Sequence, residues 1–173
     1  MTDETRARGI RLADPSDAAT AARLQVEFAL EFDSPTPSRD VLEPRFRRLI
    51  ADPDGFVLFA GDPDPTGYAV VTLRPTVYCE GPLAVLDELY VVPGLRGAGI
   101  GTALLERAVD EVLRRGGGEM HINVDEVDTD ARRFYERHGF VNIEPGTDYR
   151  MLCYIRELES GPARRASAGD QRV

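Results

Sequence analysis

Apolar residues recur along this chain in two rhythms. Alternating or unbroken β-forming runs predict strands, and spacings of three and four predict helices. Gly9-Ile10-Arg11-Leu12-Ala13 reads as a short first strand. Asp14-Pro15-Ser16 opens a helix, with Ser16 or Asp14 as cap, and Ala21, Leu24, Val26, Phe28 and Leu30 carry it to about residue 31. After the break Asp33-Ser34-Pro35-Thr36-Pro37-Ser38, a second helix runs from about Arg39 to Ala51. Its apolar face is Val41, Leu42, Phe46, Leu49 and Ile50, and Asp52-Pro53-Asp54-Gly55 ends it. Phe56–Ala60 and Tyr68–Leu73 form a hairpin around a loop rich in Asp and Pro.

Ala84–Val92 is a long strand that runs into a glycine-rich turn. The helix beyond it is the clearest in the chain: Ile100, Leu104, Leu105, Ala108, Val109, Val112 and Leu113 keep helical spacing until Gly116-Gly117-Gly118. Met120, Ile122 and Val124 alternate as a strand. Asp128 or Thr129 caps a helix bearing Ala131, Phe134 and Tyr135, which ends at Gly139. Phe140–Ile143 and Tyr149–Leu158 are expected to close the sheet as a strand pair. The order is β-α-α-β-β-β-α-β-α-β-β without an internal repeat. Residues 1–8 are expected to fray and residues 160–173 to form a disordered tail, leaving residues 1–159 as one domain.

Composition narrows the picture. At 173 residues, 42% of them apolar, the chain can fold around one core without metal or disulfides. Cys79 and Cys153 lie far apart in apolar runs and are expected to be buried, reduced thiols. No metal-ligating spacing is present, and both His121 and His138 read as structural or solvated. The N-terminus lacks an apolar signal core and no apolar run reaches membrane-spanning length, so a cytoplasmic location without a membrane partner is expected. A net charge of −9 argues against nucleic acid and suits a cationic substrate. Glu27, Glu31, Asp33 and the run Asp125-Glu126-Val127-Asp128 could meet such a substrate, although charge runs are usually solvated faces.

The candidate chemistry centres on Val92-Pro93-Gly94-Leu95-Arg96-Gly97-Ala98-Gly99-Ile100-Gly101-Thr102. A glycine turn between a strand and a helix N-terminus presents backbone N–H groups to an anion. Two familiar phosphate loops fail against it. The P-loop needs a Gly-Lys-Ser/Thr ending, and this loop has no lysine. The fingerprint G-x-G-x-x-G meets Thr102 when counted from Gly97 and Leu104 when counted from Gly99.

The loop does resemble the acyl-CoA pyrophosphate loop of the GNAT-type N-acetyltransferase superfamily, Arg/Gln-x-x-Gly-x-Gly/Ala, which Arg96, Gly99 and Gly101 fill without a mismatch. Ala131-Arg132-Arg133-Phe134-Tyr135-Glu136-Arg137-His138-Gly139-Phe140 resembles the same family's later A-x-x-F-Y-x-x-x-G-F helix. The order of elements from about Ile10 to Leu158 matches as well. The resemblance implies an α/β (α+β) fold: a mixed, mostly antiparallel sheet of six to seven strands, flanked by about four helices, with one splayed strand pair.

It also implies a set of roles. Acetyl-CoA would be held by Leu89, Tyr90, Val91 and Val92, whose backbone pairs with the pantetheine arm. Leu95, Arg96, Gly97, Ala98, Gly99, Ile100, Gly101 and Thr102 would hold the pyrophosphate, with the Arg96 guanidinium as a charged fork. The motif positions Asp128, Ala131 and Phe134 belong to the same cofactor set. Aspartate stands at 128 where the family often has asparagine, so an ionised side chain there could cap the helix but donate no hydrogen bond. Tyr135 would protonate the departing thiolate, and of the two aromatics Phe134 is the more expected to serve packing. Glu88 is the first candidate for general base and Asp87 the second. Period-two alternation puts Glu88, Tyr90 and Val92 on one face and Asp87, Leu89 and Val91 on the other. The implied reaction is transfer of an acetyl group to a primary amine, on a small molecule, by direct attack in a ternary complex. The alternatives are a non-catalytic acyl-CoA-binding regulatory module, a protein or peptide N-acetyltransferase, and a different acyl group such as succinyl or propionyl. A homodimer is the self-association to be considered.

Overall fold

The computed structural model describes residues 9–156 and 158, so the expectations for residues 1–8 and 160–173 fall outside it. The described residues form two compact units, one up to Ile122 and one from Asn123.

The first unit is a five-stranded sheet of order β1-β2-β3-β4-β5: β1 Ile10–Leu12, β2 Gly55–Ala60, β3 Gly67–Arg74, β4 Leu83–Val91 and β5 Glu119–His121. The first four strands pair antiparallel in chain order; short loops join β2 to β3 and β3 to β4, whereas two helices lie between β1 and β2. β5 pairs parallel to β4 after a helical crossover. Helices α1 (Ala18–Glu31) and α2 (Arg39–Ala51) cover one face, and α3 (Ile100–Arg114) covers the other. Alternation sorts the strands between them. Val57, Phe59, Tyr68, Val70 and Tyr90 pack with Ala18, Ala21, Ala22, Leu24, Leu42 and Phe46 in one core cluster. The intervening Gly67 lies against Leu104 of α3. The four buried alanines of α1 (18, 21, 22 and 29) let that helix approach the sheet closely.

The second unit, from Asn123, contains α4 (Thr129–Arg137). Asp128 caps it, its Oδ1 accepting from Ala131 N–H at 3.0 Å. Its other end is a Schellman motif. Gly139 has φ 86°, Phe140 N–H bonds to the Tyr135 carbonyl at 3.1 Å, and Gly139 N–H bonds to the Glu136 carbonyl at 3.1 Å. The rings of Tyr135 and Phe140 meet at 5.6 Å, the apolar contact that accompanies this cap.

Three expectations are corrected. The described residues contain five strands rather than six or seven. β5 stops at His121, and neither Phe140–Ile143 nor the described part of the expected strand Tyr149–Leu158 forms a strand. One bond, from Met151 N–H to the Asn142 carbonyl at 2.7 Å, joins those two segments. A strand needs a neighbour for its whole hydrogen-bonding edge, and that single bond does not supply one; Tyr154 and Ile155 are exposed. The cysteines are free but exposed, not buried. Cys79 lies in the loop between β3 and β4, where its apolar neighbours Val77 and Tyr78 are themselves exposed.

Candidate active site

β4 is the strand on which the site is built. Up to Leu86 its register with β3 is regular, with Leu86 opposite Val71. Val70 then pairs with Glu88, and Asp87 has no opposite residue. This is a β-bulge, and it overturns the alternation read from the sequence. One extra residue brings Asp87 and Glu88 to the same face. Asp87 accepts from Thr72 Oγ1 at 2.7 Å, and Glu88 Oε1 accepts from Gln25 Nε2 of α1 at 3.3 Å.

Beyond the bulge, β4 loses its other neighbour. The pairing with β5 spans only Leu83–Val85. Val92 N–H donates to the Thr66 carbonyl at 2.9 Å, which sets the phase of the antiparallel ladder. Glu88, Tyr90 and Val92 therefore turn their backbone groups toward β3. Leu89 and Val91 turn theirs to the open side. Of the four residues expected to pair with a cofactor arm, these two have the orientation to do so.

A 3-10 turn, Pro93–Leu95, follows, and then the glycine loop. Gly97 and Gly99 have φ 79° and 84°, the left-handed region that glycine enters without strain. α3 starts at Ile100 with no side-chain cap, and Ala103 N–H donates to the Gly99 carbonyl at 3.1 Å. The N–H groups of Gly97, Ala98, Gly99, Ile100 and Gly101 thus have no acceptor among the described residues, at the positive end of a 15-residue helix. That donor set fits a pyrophosphate.

Arg96 is placed differently from the expected fork. Its Nε donates to the Val91 carbonyl at 2.9 Å. Its two terminal nitrogens hold Glu31 Oε1 and Oε2 at 2.7 and 2.8 Å, and the guanidinium lies 5.7 Å from the Tyr90 ring centroid. The side chain fastens the loop to the end of β4 and to the last turn of α1. Among the acidic residues of α1, Glu31 is taken by Arg96 and Glu27 by Arg23 at 2.8 Å.

Glu88 is the carboxylate with a perturbed environment. Burial pushes its carboxyl above the usual carboxylate range, the Gln25 hydrogen bond opposes that shift, and the charge of Asp87 adds to it. Asp87 is also raised by partial burial and lowered by Thr72. Gln25 itself was not legible as a site residue. Its signal was its position: with Ala18, Ala21, Ala22 and Ala29 it lies on the inward stripe of α1, where an amide needs a partner. In the second unit, Tyr135 is buried at 8% exposure and Phe134 is half-buried, the reverse of the expected division between them. The Schellman clasp accounts for it, because it is the Tyr135 ring that closes on Phe140. His138 Nδ1 lies 2.7 Å from the Phe134 carbonyl, and His121 pairs with Glu119 at 2.5 Å on the surface. A cleft of about 620 Å³ opens where β4 begins, among Leu73, Arg74, Gly81 and Arg115, away from Glu88 and the loop.

Comparison with known proteins matches this geometry to a family. The Acetyltransferase (GNAT) family pattern matches residues 21–140. An uncharacterized N-acetyltransferase of Archaeoglobus fulgidus is 32% identical over 141 residues, covering 79% of this chain and 95% of that one. Aminoglycoside N(6')-acetyltransferase type 1 of Stenotrophomonas maltophilia is 30% identical over 148 residues, covering 82% and 92%. A crystal structure provisionally assigned as an acetyltransferase, from Arthrobacter sp. FB24, superimposes with a TM-score of 0.82 at 52% identity, covering 86% and 95%. No helix among the described residues is long and apolar enough to cross a membrane. With its α+β sheet, its uncapped glycine loop and these relatives, the chain belongs to the GNAT family of acetyltransferases, the EC 2.3.1 enzymes that use acetyl-CoA.

Proposed function

We propose that this enzyme acetylates a primary amine on a cationic small molecule, by direct attack of the amine in a ternary complex. The observation that carries the reading is the grouping along β4 and the loop that follows it: Glu88 at the bulge, the outward backbone of Leu89 and Val91, and the free N–H groups of Gly97–Gly101. Acetyl-CoA supplies the activated acetyl thioester. The loop N–H groups would bind its pyrophosphate, and the backbone of Leu89 with the Val91 N–H would orient its arm as an added strand does, the Val91 carbonyl being taken by Arg96. Glu88, ionised, takes a proton from the substrate ammonium, directly or through water, so that a neutral nitrogen can attack. Tyr135 is the proton donor to the departing sulfur. A small-molecule acceptor is supported by the aminoglycoside-modifying relative and by the negative charge of the chain. The reading also takes residues 1–159 as one catalytic domain.

The test is a thiol-release screen with acetyl-CoA against aminoglycosides, polyamines, amino acids and peptides, alongside calorimetry of acetyl-CoA binding. Release is expected with a small polyamine or aminoglycoside, and Glu88→Gln should lower turnover by about 100-fold. Because burial raises Glu88, the acid limb of the rate should lie above the range of an ordinary glutamate. Tyr135→Phe keeps the ring clasp and should lower turnover without weakening acetyl-CoA binding. Absence of binding at millimolar acetyl-CoA refutes the cofactor assignment. Release with peptides alone would move the acceptor to proteins, and binding without release from any amine would favour a regulatory module.

A further inference from the structure

A hydrogen-bonded chain runs from the core to the proposed base. Tyr68 of β3 is fully buried, and its hydroxyl donates to Gln25 Oε1 at 2.8 Å; Gln25 Nε2 then donates to Glu88 Oε1 at 3.3 Å. We infer that Gln25 is a positioning residue for Glu88, its amide locked by Tyr68 so that the nitrogen faces the carboxylate. This rests on Glu88 being the base, and it adds the device that holds that base ready.

Donors and acceptors leave one consistent arrangement. The opposite amide orientation would set Gln25 Oε1 against an ionised carboxylate, with no proton between two acceptors. It would also take from the buried Tyr68 hydroxyl the acceptor to which it donates, Gln25 Oε1. Tyr68 cannot readily ionise, because burial first and the Glu88 charge second both push its proton affinity up, so it remains a donor throughout the working range. The amide is correspondingly fixed, and a fixed donor favours the charged form of Glu88.

The ionisable neighbours set a need for such a donor. Asp87, on the same strand, repels the Glu88 charge. Tyr68 and Tyr90 face the same core from β3 and β4. Glu27 and Glu31 of α1 lie around Tyr90, and each is paired with its own arginine, Arg23 or Arg96. No described arginine or lysine pairs with Glu88. The Gln25 amide is the group that offsets burial and Asp87. Its place on α1 follows from the sequence: it is the polar member of the alanine stripe that packs on β3 and β4.

Carbon-13 NMR of glutamate δ-carbons, with Glu88 assigned by loss of its signal in Glu88→Gln, reads the titration without any acceptor. In Gln25→Met, which keeps the side-chain length, the Glu88 midpoint should rise by about one pH unit. Tyr68→Phe keeps the ring and frees the amide; its midpoint should rise by a smaller amount, and it serves if Gln25→Met fails to fold. The acetyl-CoA dissociation constant should be unchanged in both, since the loop is untouched. A Glu88 midpoint that stays put in the folded variants overturns the proposal. Undiminished thiol release by Glu88→Gln, measured separately, overturns the base reading on which it rests.

Discussion

Glu111 offers the clearest test of how the loop is held in place. It is a fully buried carboxylate on α3, the helix whose first turn carries the free N–H groups. Three arginines one turn away surround it. Arg107 Nη1 lies at 3.2 Å and Arg115 Nε at 2.7 Å, while Arg114 contributes Nε at 3.0 Å and a second, short bond through Nη2. Arg115 continues to the Pro53 carbonyl at 2.9 Å and stacks 4.7 Å over Phe56, tying the end of α3 to the start of β2. The Arg114 hydrogen bonds above all, then those of Arg115 and Arg107, overcome the burial penalty and hold Glu111 at about 2, against 4.5 for an ordinary glutamate. That difference corresponds to about 3 kcal/mol of pH-linked stability. Arg114 is 65% exposed and its share is screened, so about 2 kcal/mol is the working figure. The folded-state value is depressed, so the contribution is complete above about pH 4.5 and is lost as pH falls toward 2. Glu111→Gln should therefore lower urea-unfolding stability by about 2 kcal/mol at pH 7, with a gap from wild type that shrinks to under about half by pH 3. A gap absent at pH 7, or equal at both pH values, refutes the argument.

Two further outcomes concern the loop. Gly97→Ala places a methyl group where no atom lies within 4 Å, so its whole cost is the left-handed φ of 79°, about 1 kcal/mol; KM for acetyl-CoA should rise about fivefold with little change in kcat. Glu31→Ala removes the carboxylate that holds Arg96, and isothermal titration should show acetyl-CoA binding weakened several-fold although Glu31 belongs to α1 and not to the loop; unchanged affinity would mean that the Arg96 contact does not shape the loop.

The parts of this site that were legible in the sequence are those set by local chemistry. Helix α2 starts and stops where Ser38 and Asp52-Pro53-Asp54-Gly55 predict, and the glycine loop announces itself by residue type. Asp128 caps α4 as its side chain allows. The rest depends on partners distant in the chain. Asp87-Glu88 reads as two successive strand positions, because nothing in that pair of letters marks one of them as lacking an opposite residue. Arg96 reads as a charged fork for phosphate, and nothing near it in the sequence marks its contact with Glu31, 65 residues earlier in the chain. Tyr149–Ile155 has the composition of a strand, yet composition does not supply the neighbour that a strand requires. The roles of Gln25 and Glu111 are hidden for one reason: a polar residue on an apolar stripe is legible as an exception, but its partners are not.

The Arg96–Glu31 pair also bears on how this enzyme could change over evolutionary time. Under the proposed function, new acceptors are met by altering α1 and the segment after it, while the cofactor stays the same. The outward positions of α1 can vary in that way, but Glu31 is constrained, because its carboxylate secures the loop residue that follows β4. Lineages that recruit new amines should accordingly vary positions 31 and 96 together or leave both alone. An acid at one paired with a base at the other, or two neutral residues, would be the lasting combinations, and a lone charge at either position would be short-lived.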